Sequence, residues 1–213
     1  MSFTAATVWA CAAAAHRING GYIKDDEWNR NSAAHFISRY ANKHLVKEWL
    51  RTTNYSYLTE EDYAKGEEYR THFKGYTFLA MQGQLNNFQQ QAFKIACMEE
   101  FTTRSMLEFA IITCLPSVAE RDQDRNTLKR AVYHSEQLDI PVGDSVNTDF
   151  KVITCKWSET FNKYRVHGTI YESYVDFWSK DEYIPDTEVR IKAKVKAHRG
   201  DKTTQLNFVK KVK

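Results

Sequence analysis

Only three of the 213 residues are proline and eight are glycine. That scarcity excludes collagen-like and proline- or glycine-rich low-complexity chains. No uninterrupted apolar run approaches the roughly 18–20 residues that a membrane-spanning helix needs, so no membrane partner is expected. The four cysteines, Cys11, Cys97, Cys114 and Cys155, are far apart and form no C-x-x-C. Zinc-ribbon and thioredoxin-like motifs are excluded at the level of spacing. Three of the four cysteines sit among apolar residues and read as small hydrophobes, in a reducing, cytoplasmic setting. The seven histidines form neither H-x-x-x-H nor H-E-x-x-H, so no metal site is expected. There is no G-x-S-x-G, no P-loop and no G-x-G-x-x-G. The chain is therefore expected to be non-enzymatic and to carry no cofactor.

What is present is aromatic and unevenly charged. Phe, Trp and Tyr make up 14% of the residues, and the formal net charge is +3. Residues 1–140 hold 16 basic and 17 acidic side chains, whereas 141–213 hold 14 basic and 10 acidic. From Val189 to the end there are nine basic side chains and one acid, Asp201. A basic end on a near-neutral body is a footprint for a polyanion, or else a solvated strand face with a charged tail.

The first two-thirds read as about six helices, forming a helical domain over residues 1–140. Ser2 or Thr4 caps an Ala-rich helix that runs to Ile18 and stops at Asn19-Gly20-Gly21. Without a basic n-region, that segment reads as helix rather than signal peptide. Ala33, Phe36, Ile37, Tyr40, His44, Leu45 and Trp49 are spaced by threes and fours, which predicts a helix over 32–51. Thr59 with Asp62 opens a third helix, ending at Gly83. Asn86 or Asn87 caps a fourth, and Thr102 or Thr103 a fifth that Pro116 breaks. Ser117 to Glu120 reads as a capping box for a sixth, to about Gln137. Glu60, Glu61, Glu67 and Glu68 are read as acidic first turns of a helix. Tyr55 and Tyr57 fall in a loop and are candidate contacts for a partner protein.

From Ile140-Pro141-Val142-Gly143 onward the period changes from three-to-four to two. Strands are predicted at about 146–157, 164–170, 172–178, 189–198 and 203–211. Five strands in so short a stretch leave no room for long crossovers. They predict a five-stranded antiparallel OB-like β-barrel over residues 141–213, with an SH3-like barrel as the nearest rival. The fold class is thus α+β, a helical domain followed by a barrel.

The last stretch reads Val195-Lys196-Ala197-His198-Arg199, then Gly200-Asp201-Lys202, then Thr203-Thr204-Gln205-Leu206-Asn207-Phe208-Val209-Lys210. It resembles a C-terminal signature of bacteriophage proteins associated with DNA or RNA metabolism, V-K-x-H, a short basic loop, then T-Q-L-x-x-V-K. The loop is shorter here, and Phe208 stands where the signature has an Arg. The resemblance covers about 65 residues, from Phe150 on. It implies an OB-like barrel and a setting in phage DNA replication, recombination or transcription, hence the cytoplasm of the host bacterium.

OB-folds bind single strands on the face of strands two and three, framed by the loops after strands one and four. In this sequence that face carries Arg165, His167, Tyr174 and Trp178. The first loop supplies Phe161 and Lys163, and the fourth supplies His198, Arg199 and Lys202. Aromatic planes stack bases and cations track phosphates. Alternatively, Tyr174 and Trp178 pack against the helices. Lys192, Lys194 and Lys196 point one way from a single strand. They contact phosphates, or they guard an exposed sheet edge against aggregation. The expected partner is single-stranded DNA or RNA, with a polymerase or another replication or transcription protein as a further partner. The rival function is a protein–protein adaptor or inhibitor that docks on a polymerase, nuclease or host protein through the barrel.

Overall fold

The computed structural model describes residues 2–29, 36–102 and 106–212. It divides into two compact units, Met1–Arg121 and Asp122–Lys213. The first contains β1 (Ser2–Thr4), α1 (Ala5–Asn19), β2 (Glu27–Asn29), β3 (Phe36–Arg39), α2 (Asn42–Thr52), α3 (Glu60–Lys74), α4 (Thr77–Met81), α5 (Asn87–Cys97), β4 (Glu100–Thr102) and α6 (Met106–Ile112). The long helix α7 (Leu115–Tyr133) runs through the division between the units.

Helix α1 is the centre of the first unit. The Thr4 side chain accepts from the Thr7 amide at its start, and Gly20 ends it in the left-handed conformation. Val8, Trp9, Cys11, Ala12, Ala14 and Ala15 are all buried. A helix apolar nearly all round is a core helix. Its small residues admit close neighbours. Gly66 of α3 lies so near that a Cβ there would stand 2.7 Å from the Trp9 carbonyl carbon. Burial pushes the Cys11 thiol up to about 12, so it packs as a hydrophobe rather than reacting. The Thr59–Asp62 capping box on α3 and the Asn86 cap on α5 form as their sequences predict.

The helix expected over 32–51 begins only at Asn42, and Ser32 to His35 of that expectation lie outside the described residues. Phe36 to Arg39 instead pair with β2, Trp28 opposite Ile37. The start is fixed by side chains, not by periodicity. Asn42 accepts from Asn19 Nδ2 and the Ile23 amide and donates to the Gly21 carbonyl, while the Ala41 amide donates to Asp26. The expected third helix is interrupted at Gly75, giving α3 and α4. The short strands β1 and β4 pair with each other, and no periodicity announced them. Pro116 stands in the first turn of α7, where a missing N–H costs nothing, rather than breaking a helix.

The second unit holds the barrel, β5 (Ser145–Ser158), β6 (Lys163–Ile170), β7 (Ser173–Ser179), β8 (Glu188–His198) and β9 (Thr204–Lys211). The strands close in the order β5-β6-β7-β9-β8. The long β5 makes closure possible, because its first half pairs with β8 and its second with β6. The expected all-antiparallel arrangement is corrected, since β7 and β9 run parallel, Val175 opposite Thr204 and Asp176 opposite Gln205. The reason is parity. Directions cannot alternate all the way round a closed ring of five strands, so at least one neighbouring pair must be parallel. Phe150, Val152, Val166, Ile170, Val175, Phe177, Ile191, Val195 and Leu206 fill the interior. Gly168 sits at the tightest approach, where a Cβ would meet the Lys151 carbonyl and the Phe150 ring.

Candidate nucleic-acid interface

With Val175 and Phe177 in the barrel core, alternation turns Tyr174, Asp176 and Trp178 outward. The ladders then assemble rows across the outside. Lys156, Arg165 and Trp178 stand side by side on β5, β6 and β7. The next row is Thr154, His167, Asp176 and Gln205, and Thr169 stands beside Tyr174.

Asp176 is completely buried and is the anchor of this face. Its Oδ2 lies 2.5 Å from Arg165 Nη2 of β6. Its Oδ1 accepts from Arg199 Nη1, in the loop after β8, at 2.6 Å. One carboxylate thus gathers two guanidinium groups from separate parts of the chain, leaving a net charge of one cation. The Arg165 guanidinium also lies over the Trp178 ring, 4.9 Å from its centroid. Phe161, from the loop after β5, leans on the other partner, with ring centroids 4.6 Å apart and planes tilted 42°. Phe161 is 60% exposed, and Trp178 and Arg165 are half-buried. Phe161, Trp178, Arg165 and Arg199 therefore come together as a layered aromatic and cationic surface, with Lys163 exposed at the foot of β6.

Tyr174 does not belong to that surface. It is only 5% exposed, and its hydroxyl lies 2.5 Å from His167 Nδ1. Its backbone amide donates to Ser135 Oγ, so the chain after α7 lies across this end of the face. Burial pushes the tyrosine up to about 12, with Asp176 adding to the effect. Burial likewise lowers His167 to about 4, helped by neighbouring Arg165. Both groups are neutral at pH 7. His167 is thus not a phosphate-binding cation, and Tyr174 is not a stacking plane. On α7, Asp124 pairs with Lys156.

In the loop after β8, His198 is also spoken for. Its Nε2 lies 2.9 Å from the Ile140 carbonyl, which can only accept, so Nε2 carries the proton. Its Nδ1 lies 3.0 Å from Thr204 Oγ1. The Thr203 hydroxyl donates to Asp201 at 2.6 Å and holds that carboxyl below its usual range. Lys202 is exposed, with a left-handed φ of 64°. The residues from Val195 to Leu206 therefore build the barrel's last turn. Thr203, Thr204 and Leu206 are buried, and His198 ties the loop to the chain before β5.

Lys192, Lys194 and Lys196 are exposed on β8. They do not guard a sheet edge, because β8 is hydrogen-bonded to β5 on one side and β9 on the other. In the helical unit, Tyr55 packs against the core, while Tyr57 is exposed and stacks on Trp49 with centroids 5.6 Å apart. Two features of this face are not legible from simple alternation. Alternation puts Asp176 on the outward side of β7 but gives no sign that two arginines hold it there. Lys156 shares the parity of the inward Phe150 and Val152, and it comes outward only because a bulge between Val152 and Thr154 shifts the register. No protein-family model, curated protein or solved structure matches the chain.

Proposed function

We propose that the chain binds single-stranded nucleic acid, DNA or RNA, on the outer face of β6 and β7, without catalysing a reaction. One observation carries this reading, the layering of Phe161, Trp178 and Arg165 beside Arg199 on one solvent-accessible face. Unpaired bases expose two aromatic planes, and a tilted aromatic pair open to solvent offers a platform for one of them. The two guanidinium groups exceed the one carboxylate by a single charge, so the cluster attracts a phosphate without repelling itself apart. Lys163 and Lys202 extend the positive potential along the two framing loops. A duplex, whose bases are already stacked, gains nothing from the platform.

The setting in phage replication, recombination or transcription rests on the signature at Val195–Arg199 and Thr203–Lys210. A polymerase or another protein of those processes is the further partner that the same signature suggests.

Titration of fluorescently labelled single-stranded DNA, single-stranded RNA and duplex at two salt concentrations tests the reading. Binding to single strands is expected to weaken as salt rises, because phosphate contacts release counterions. Absence of binding at low salt would turn the aromatic and basic face into a protein interface, the adaptor reading.

A further inference from the structure

The outer face of β8 and β9 carries a second surface with the same two ingredients. Lys192 of β8 is directly opposite Lys210 of β9, and the next paired row is Lys194 opposite Asn207. On the other flank of β8 the same rows continue into Asn147 and Ser145. Neither row contains an acid. Like charges facing each other across a ladder are unfavourable, and among the described residues none of Lys192, Lys194, Lys196 and Lys210 has an ion pair. Lys211, next along, is different. Its Nζ donates to the Glu182 carbonyl and lies 4.3 Å from the Tyr183 ring centroid.

Between the two rows β9 carries a bulge, with Phe208 and Val209 set against Ala193 alone. Val209 packs on the barrel core. Phe208 takes a left-handed φ of 51° and turns outward, 76% exposed. Bulky residues avoid that conformation, and bulges re-aim side chains at functional positions. A strained backbone that holds an aromatic ring out into water, among unpaired lysines, is costly unless something covers it.

We infer that the outer face of β8 and β9 is a second single-stranded nucleic-acid contact, in which Phe208 stacks a base and Lys192, Lys194 and Lys210 hold the flanking phosphates. The inference rests on the reading given under Proposed function and extends it. The two surfaces connect through β9, which pairs with β7 on one side and β8 on the other. Two residues beyond the Asp176–Gln205 pair stand Trp178 on β7 and Asn207 on β9, next to Phe208. A strand crossing the platform at Trp178 therefore continues over β9 onto the lysines.

The test uses the full chain with labelled single strands of about 4 and about 16 nucleotides, the span of site sizes seen per OB-fold. Phe208→Gly removes the ring and relieves the left-handed strain, so it is expected to raise Tm while weakening the long strand about 5- to 150-fold. The short strand is expected to be unaffected by it. The triple variant Lys192→Gln, Lys194→Gln, Lys210→Gln is expected to flatten the log–log salt slope for the long strand by about 2, at ~0.7 per phosphate released. Unchanged long-strand affinity and slope in both variants, with Trp178→Ala still weakening both strands, would overturn the inference and leave the first site standing. Loss of binding in these variants but not in Trp178→Ala would support the second surface and overturn the first. A wild-type chain that binds neither length would overturn both.

Discussion

Replacing Asp176 by Asn leaves Arg165 and Arg199 converging on a buried neutral amide. Removing one partner of a buried ion pair strands the other charges, and the loss is expected to be about 3 kcal/mol, read from the urea midpoint. A loss below ~1 kcal/mol would mean that solvent already screens the arginines. His167 supplies a pH test. Burial, with Arg165 beside it, lowers its pKa to about 4. The neutral ring therefore contributes stability that is complete above its ordinary pKa of about 6.5 and is lost as pH falls through about 4. Between pH 7 and 4.5 the wild type is expected to lose about 2 kcal/mol more than His167→Gln, which has no titrating ring. Parallel pH profiles would show that the ring is solvated. Residue-scale roles were only partly legible in the sequence. Alternation alone put Arg165 and Trp178 on one outward face, but alternation does not say what lies over that face. Tyr174 was exposed by that logic and is covered because Ser135 holds its amide.

At the scale of elements, the packing of α1 on α3 gives a prediction whose sign runs against propensity. Gly66 to Ala should stabilise an exposed helix by about 1 kcal/mol. Here the added methyl meets the Trp9 and Ala10 backbone at 2.7–2.9 Å, and backbone cannot swing aside. Gly66→Ala is therefore expected to destabilise by about 1–3 kcal/mol in thermal or urea unfolding. A more stable variant would contradict the close crossing. The elements best announced by sequence were those set by local chemistry, the Thr59–Asp62 box, the Asn86 cap and the strict alternation of β8. Where the helix expected over 32–51 begins depends on distant partners. Phe36 and Ile37 fit a helical stripe, yet Trp28 pairs with Ile37 and Asn42 is held by Asn19, Gly21 and Ile23. The parallel β7–β9 pair follows from closing five strands, a constraint that no single strand's pattern carries.

For the whole molecule, the charge asymmetry seen in the composition takes a definite form in the barrel. Two groups of its cations stand out. Arg165 and Arg199 are held by Asp176 beside the aromatic pair, and Lys192, Lys194, Lys196 and Lys210 on β8 and β9 have no ion pair among the described residues. No described helix is long and apolar enough to cross a membrane. In the proposed function, Trp178 and Phe161 form a base-stacking platform whose cations hold phosphates. The most direct test is a fluorescence titration of short labelled single strands against wild type, Trp178→Ala and Lys192→Ala, at low and moderate salt. Salt-sensitive binding to single strands in preference to duplex is expected. Trp178→Ala should weaken it by ~1–3 kcal/mol and Lys192→Ala by less. Equal effects of the two substitutions, or no binding at low salt, would contradict that function.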